Sequence, residues 1–224
     1  MRLVTRSDFD GLACAVLLKY LKLIDDYKFA HPKDLQDGIV EINSNDIMAN
    51  VPYVKGCSMW FDHHASEKER LGDIKFDGSS IPSPSCARVI WEYYGGHAKF
   101  PESLDAMMEA VDKVDSAALT RDEIIDPKGW ILLGFIMDPR TGLGRYRDYR
   151  ISNYQLMLDM IGYCAVMSAE EILALPDVQE RSKRYFAQQE DFSSMLKRCS
   201  RLDRNVLLID LREEAEIFAG NRFT

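Results

Sequence analysis

Residues 3–21 read LVTRSDFDGLACAVLLKYL, and this stretch decides the fold. Its first three residues are apolar or β-branched and predict a short strand. From Gly11 to Leu21 the segment is apolar around most of its circumference, which is typical of a largely buried helix. A strand followed closely by a buried helix predicts the start of a β-α-β unit, with the helix packed on a sheet.

Short apolar runs and helical patterns continue to alternate through the first half of the chain. Further strands are predicted at residues 27–31, 39–42 and 58–61. Beyond Pro84 the pattern predicts helices at residues 85–94, 102–113, 130–137, 152–160 and about 177–198, and then a late strand at 205–211. The whole pattern predicts an α/β fold, with a mainly parallel sheet flanked by helices and a helical second half.

Composition limits the classes of function. Of the 224 residues 46% are hydrophobic, and the net charge of −8 argues against binding bulk duplex nucleic acid through a broad basic surface. The five cysteines are scattered and form no CxxC pair, which argues against disulfides and zinc knuckles. No signal region is present, and no apolar run approaches the roughly 20 residues that span a bilayer. We therefore expect a cytoplasmic protein with no membrane partner.

Acidic residues follow the first predicted strand. If the chain stays extended there, Arg6, Asp8 and Asp10 point to one side and two carboxylates converge. A cation between them would relieve their repulsion, and Gly11 lets the backbone turn into the helix. In the alternative reading, Ser7 or Asp10 simply caps that helix.

The run Phe61-Asp62-His63-His64 places two of the four histidines at the end of another predicted strand. Open α/β sheets bind ligands at the carboxyl ends of their strands. Imidazole and carboxylate together suit manganese or a similar cation, which can acidify a bound water. Two adjacent histidines can also be structural, but together with an upstream DxDG they are a more specific signal for a metal site. The combination indicates metal-assisted phosphoester hydrolysis.

At these two motifs, residues 4–11 and 61–64, the chain resembles the DHH phosphoesterases. The resemblance implies a phosphoesterase that uses a metal-activated water to cleave a phosphoanhydride or phosphodiester bond, in polyphosphate, pyrophosphate or a short oligonucleotide. It also implies one or two Mn²⁺ ions, with Mg²⁺ or Co²⁺ as alternatives. A phosphatase of the haloacid dehalogenase type, with Asp8 as nucleophile, would also begin with DxD but would not explain the histidines.

The resemblance assigns roles to the matching residues. It implies that Asp8, Asp10 and His63 are metal ligands, and that Asp62 and His64 orient the site or contact the phosphate.

Two further metal-binding motifs of the family are single aspartates. We expect the first at Asp46, which follows the strand predicted at 39–42, although a turn or cap aspartate is a close alternative. We expect the other at Asp115, with Asp112 as its rival.

One position departs from the family pattern. Family members usually begin the first motif with histidine, but this chain has Arg6, a permanent cation that cannot bind a metal. Arg6 could pair with Asp8 or bind a phosphate, and it favours an alternative in which the domain is a catalytically weakened module that binds a nucleotide or serves in assembly. Arg140 and Arg145 lie in a glycine-containing loop that could reach substrate phosphates, although a solvated surface loop is the simpler explanation.

The resemblance also implies a second, smaller domain. We expect a catalytic domain over residues 1–176 and a linker helix and strand over 177–224. The segment Gly220-Asn221-Arg222-Phe223 resembles the start of an absent associated domain, so we expect a truncation or a reduced form. A homodimer is left open.

Overall fold

The computed structural model describes residues 1–214, apart from the side chain of Lys68. A five-stranded parallel sheet forms its centre, in the order β2-β1-β3-β4-β5. Its strands are β1 (Arg2–Thr5), β2 (Asp26–Phe29), β3 (Asp46–Ala49), β4 (Met59–Asp62) and β5 (Gly78–Ser80). The predicted α/β fold with a parallel sheet is confirmed.

Helices occupy most of the rest of the described chain. In order they are α1 (Phe9–Tyr20), α2 (Pro32–Gln36), α3 (Ala65–Leu71), α4 (Cys86–Tyr93), α5 (Asp105–Asp115), α6 (Arg121–Ile125), α7 (Gly129–Met137), α8 (Asn153–Tyr163), α9 (Ala169–Leu173) and α10 (Pro176–Cys199). Short 3₁₀ helices lie at Gly96–Ala98, Glu102–Leu104, Pro139–Thr141 and Leu143–Arg145. The six helices predicted from the sequence are confirmed, with ends displaced by no more than a few residues.

Alternating side chains of the strands enter two separate apolar clusters. Leu3 and Phe61 face the larger cluster, where α1 packs against α4, α5, α7 and α8. Val4 and Trp60, the neighbouring residues, face a smaller cluster on the other side of the sheet. Because successive side chains of a strand point to opposite faces, one short strand supplies apolar groups to both clusters. Both faces of the sheet are covered, as in other parallel sheets.

The strand predicted at residues 39–42 is wrong. These residues form no regular structure, and Ile39 is 69% exposed. The central strand is β3, which begins several residues later at Asp46 and is buried along its whole length. The sequence misled because Ile39, Val40 and Ile42 favour strands intrinsically, whereas β3 is only four residues long and starts with a charge. Val40 and Ile42 instead pack from a loop against the smaller apolar cluster.

The end of the described chain is a hairpin that follows α10. Antiparallel strands β6 (Ser200–Asp203) and β7 (Val206–Ile209) confirm the predicted late strand. The first half of α10 packs on the main body through the buried Val178 and Tyr185. The division into residues 1–176 and 177–224 stays a prediction, and residues 220–223 lie outside the described part. Within residues 1–214, no helix combines the length and apolar character needed to cross a bilayer.

Gly11 explains why the first motif ends in glycine. A Cβ built on Gly11 would lie 2.1 Å from the backbone oxygen of Arg6 and 2.8 Å from Oγ1 of Thr5. The backbone of the turn between β1 and α1 therefore approaches α1 too closely for any side chain.

Replacing Gly11 by alanine should lower the free energy of unfolding by about 1–3 kcal/mol, because the clash is with backbone and cannot be relieved by a side-chain rotation. Gly162→Ala is the matched control, since a Cβ there meets nothing within 4 Å. It should be neutral or stabilise the protein by up to about 1 kcal/mol. Urea denaturation measures both, and equal effects of the two changes would contradict this account of the turn.

Candidate active site

The two sequence motifs meet at the carboxyl edge of the sheet. The first begins at the end of β1 and the second at the end of β4, and only β3 separates these two strands in the sheet. His63 Nε2 lies 3.8 Å from Oδ2 of Asp10, although the two residues are 53 positions apart in the sequence. Parallel strands bring their carboxyl ends to one edge, and this placement is what joins the motifs.

Asp10 is the most constrained residue of the site. It lies in the first turn of α1 and is 2% exposed. Its two oxygens accept hydrogen bonds from the backbone N–H groups of Cys86 (2.9 Å) and Ala87 (2.8 Å), at the N-terminus of α4. Burial, followed by the charges of Asp115 and Asp8, nevertheless raises the pKa of Asp10 well above its ordinary value. The carboxylates of Asp8 and Asp115 therefore lie close enough to Asp10 to disfavour its charged form.

Asp8 is the N-cap of α1, so the alternative in which Ser7 or Asp10 caps this helix is wrong. Oδ1 of Asp8 accepts from the Gly11 N–H at 3.0 Å and from Nδ2 of Asn50 at 3.1 Å. Its Oδ2 lies 3.2 Å from Nε of Arg6, which is the ion pair considered from the sequence. The chain already turns into the helix at Phe9, so residues 6–10 do not stay extended: Asp8 is the N-cap of α1 and Asp10 lies in its first turn.

His63 presents a lone pair to the carboxylates. Its Nδ1 lies 3.0 Å from the carbonyl oxygen of Ser83, which can only accept, so Nδ1 carries a proton. In the neutral ring Nε2 is then an acceptor, and it lies 3.1 Å from Oδ2 of Asp115. Two acceptors this close require a shared proton or a cation.

His64 is oriented by its own motif. Nδ1 of His64 lies 3.0 Å from Oδ1 of the buried Asp62, whose Oδ2 accepts from the His64 backbone N–H. The hydrogen bond with Asp62 raises the pKa of His64. Asp62 therefore serves His64, and the imidazole Nε2 of His64 is left to face the cleft that it lines with Arg6.

The donor atoms fit a divalent cation. Among the described residues, one atom each of Asp10, His63 and Asp115 lie within 4.8 Å of one another. Asn50 Oδ1 and His63 Nε2 are buried without a hydrogen bond inside the described part of the chain, and Asp8 Oδ2 has there only its ion pair with Arg6. Adjacent ligands of an octahedral cation with bonds of about 2.1 Å lie about 3 Å apart, which is the spacing of His63 and Asp115. Carboxylate oxygens suit magnesium and manganese, whereas imidazole suits transition metals.

Asp46 does not belong to this group, which corrects its assignment as a metal ligand. It is the first residue of β3 and pairs in register with Arg2, at the opposite edge of the sheet. Its oxygens accept from Nε (2.7 Å) and Nη2 (2.9 Å) of Arg2 and from the Asn43 backbone. The assignment failed because Asp46 was expected to follow a strand, whereas it begins one.

Asn50 is the residue that the sequence reasoning missed. It follows β3 directly, at the site edge, and adopts a left-handed conformation with φ of 56°, which asparagine tolerates. Its amide is 1% exposed and donates to Asp8. Had β3 been recognised at residues 46–49, the polar residue after it would have been the natural candidate.

Of the two rival aspartates on α5, only Asp115 lies in the cluster. Asp112 is one turn away and accepts from Ser85 Oγ (2.6 Å) and Arg88 Nε (2.8 Å). Since Ser85 caps α4, Asp112 stabilises the helix whose N-terminus holds Asp10.

The two arginines proposed for substrate binding occupy different positions. Arg140 forms a bidentate pair with Asp138 and lines a cleft with Arg6 and Asp8. Burial lowers the pKa of Arg140, but the Asp138 hydrogen bond and the charges of Asp138, Asp8 and Asp115 raise it overall. Arg145 is exposed and lines a neighbouring cavity.

The cluster of carboxylates and imidazole at the carboxyl edge of a parallel sheet defines an α/β protein with a possible metal-binding site. By comparison with solved structures, the chain belongs to the family of the pGpG-specific phosphodiesterase PggH from Vibrio cholerae. The two share 53% sequence identity with a TM-score of 0.87, over 99% of this chain and 71% of PggH.

A second solved structure, an uncharacterized protein from Helicobacter pylori G27, is 14% identical over 92% of this chain and 73% of its own, with a TM-score of 0.45. This structure is too distant to support an inference about this chain. No family model matches the chain, and no curated protein does. The resemblance to DHH phosphoesterases stays a prediction.

Asp115→Asn should weaken Mn²⁺ binding at least about tenfold, because it removes a charged ligand atom. Asp46→Asn is the matched control and should leave Mn²⁺ affinity unchanged, since Asp46 lies at the other edge of the sheet. It should instead cost about 1.5–3 kcal/mol of stability by breaking its charged hydrogen bonds with Arg2. Calorimetric titration and urea denaturation measure these effects. A loss of Mn²⁺ binding on Asp46→Asn would refute the corrected assignment.

Proposed function

We propose that this protein is a metal-dependent phosphodiesterase that hydrolyses short nucleotides of the pGpG type. The observation that carries the proposal is the Asp10, His63 and Asp115 cluster, with its donor atoms within 4.8 Å, in a chain 53% identical to a pGpG-specific phosphodiesterase. Polyphosphate and pyrophosphate are the less favoured substrates. A cytoplasmic location and a homodimer stay predictions.

The proposed metal ligands are Asp8, Asp10, His63 and Asp115, with the amide oxygen of Asn50 as an addition. Mn²⁺ is the proposed ion, with Mg²⁺ or Co²⁺ as alternatives. A bound divalent ion polarises a phosphate and lowers the pKa of water. The N-terminus of α4 fixes the position of Asp10 before an ion binds, so ion binding would cost little conformational entropy at this residue.

His64 is proposed to act on the phosphate. Asp62 holds Nδ1 of His64 at 3.0 Å and favours the protonated ring, which leaves Nε2–H free to donate to a phosphate oxygen or to the leaving oxygen. The proton stays on the imidazole until the bond to phosphorus breaks, and then passes to the leaving group.

Arg6 and Arg140 are proposed to bind the substrate phosphates. Both guanidinium groups line the cleft that contains Asp8. Each already pairs with an aspartate, so their geometry is set before the substrate enters. Donors aimed at the phosphate in advance stabilise the charge that develops during hydrolysis.

One observation favours the second candidate, a catalytically weakened module that binds a nucleotide. The ion pair of Arg6 with Asp8, at 3.2 Å, competes for an oxygen that a metal would use. Such a module would bind pGpG and release no product.

The direct test is hydrolysis of pGpG, pyrophosphate and polyphosphate with added Mn²⁺, followed by chromatography. We expect cleavage of pGpG that is lost on chelation and restored by Mn²⁺. His63→Ala should lower the rate more than about a hundredfold, since even groups that only support metal ligands are worth 10–100-fold. His97→Ala is the matched control, because His97 is an exposed histidine outside the site. Undiminished turnover in His63→Ala would refute the site.

Arg6→His tests whether the arginine limits metal binding. Histidine removes the ion pair with Asp8 and offers a neutral nitrogen ligand. If metal occupancy is limiting, Mn²⁺ affinity should rise by about tenfold, whereas a role in phosphate binding predicts a higher KM for pGpG. Calorimetry and steady-state kinetics on the same variant separate the two, and no change in either would exclude both roles.

A further inference from the structure

A cavity of about 320 Å³ adjoins the proposed active site. Ser7 lines both this cavity and the cleft that contains Asp8 and Arg140. The cavity walls are largely apolar and include Met137, Leu156 and Met157. An apolar pocket with a few polar groups is typical of a site for a planar organic ring, and this one opens beside the reaction centre.

The outer wall of the cavity is held rigidly. It belongs to the segment 138–151, which two arginines of α10 clamp. Arg181 is 1% exposed and stacks on Tyr149 with 4.0 Å from its guanidinium carbon to the ring centre. Arg184 stacks on Tyr146 at 4.1 Å and binds both oxygens of Asp148, at 2.6 and 2.7 Å. Stacked and bidentate arginines fix a loop better than single contacts do, so the cavity exists before a ligand arrives.

Asn153 presents a hydrogen-bond donor to this cavity. Its Oδ1 accepts from Nε of Arg181 at 2.9 Å. Because arginine can only donate, the amide orientation is determined, and Nδ2 has no hydrogen bond within residues 1–214. The Nδ2 group faces Gly144, since a Cβ built on Gly144 would lie 3.1 Å from it. Gly144 and Asn153 both line the cavity.

The charged side chains that line the cavity add further hydrogen-bond donors to it. Arg145 lines it, and among the described residues its guanidinium has no hydrogen bond or ion pair. The carboxylate of Asp138 also lines it, and Arg140 forms a bidentate ion pair with both of its oxygens. Arg145 and Asn153 therefore offer N–H groups with no fixed acceptor beside them.

We propose that this cavity binds a guanine base of the substrate, and that Arg145 and Asn153 select it. Among the bases, guanine alone presents two neighbouring acceptors, O6 and N7, on its major-groove edge, whereas adenine presents one acceptor and one donor there. Two donors therefore favour guanine. The inference deepens the proposed function and rests on it for the identity of the ligand as a short nucleotide.

The test uses the full chain and measures binding of pGpG, pApA and pUpU by calorimetry in the presence of a chelator. The wild-type protein should bind pGpG at least about tenfold more tightly than pUpU. Asn153→Asp keeps the acceptor for Arg181 and suits the start of α8, but it exchanges the free donor for an acceptor. It should lower the ratio of pGpG to pApA affinity by at least about tenfold, since adenine supplies the donor that aspartate needs.

Two further variants control for charge and for space. Arg147→Ala removes an exposed arginine of the same segment that does not line the cavity, and it should keep the wild-type ratio. Gly144→Ala narrows the cavity beside Nδ2 and should weaken pGpG binding, whereas Gly162→Ala should not.

An unchanged pGpG to pApA ratio in Asn153→Asp, or equal wild-type affinity for all three dinucleotides, would overturn the proposal. Hydrolysis with Mn²⁺ is measured on the same samples to separate the two ideas. Cleavage of all three dinucleotides without base preference would refute the guanine site and leave the phosphodiesterase. Base-selective binding with no cleavage would retain the site and refute the phosphodiesterase.

Discussion

The buried carboxylate of Asp10 is the constraint on which the site depends. It accepts two backbone hydrogen bonds from the start of α4, and it ties the first turn of α1 to that helix. A buried charge without such partners would destabilise the fold. Helix N-termini favour anions, but burial, followed by the charges of Asp115 and Asp8, still raises the pKa of Asp10. Asp10 and Asp115 thus place two carboxylates beside His63, an arrangement that a divalent cation would stabilise.

The rest of the architecture serves that convergence. Because the sheet is parallel, the segments after β1, β3 and β4 all emerge at one edge, where Asp8, Asn50 and His63 can meet. Asp112 accepts a hydrogen bond from Ser85, the N-cap of α4, and so stabilises the helix N-terminus that binds Asp10. At the opposite edge Asp46 and Arg2 join β1 and β3. Substitutions at the two edges should therefore separate chemistry from stability.

Much of the fold could be predicted from sequence, because buried helices and parallel strands leave long apolar patterns. The two motifs could also be found, since acidic and imidazole groups at predicted strand ends are unusual. Asp46 and Asn50 could not, because their roles depend on where a four-residue strand begins, and a shift in that strand exchanges the two edges of the sheet. Asp8 as the cap of α1, and not Ser7, likewise depends on the turn that Gly11 permits.

The most direct test of the central claim is a crystal of this protein soaked in Mn²⁺, with diffraction measured at the manganese absorption edge. We expect an anomalous peak between Asp10, Nε2 of His63 and Asp115, from a Mn²⁺ ion that binds all three at distances of about 2.0–2.4 Å. Fully occupied Mn²⁺ sites at other carboxylates, with no anomalous peak among these three residues, would contradict the proposed metal site.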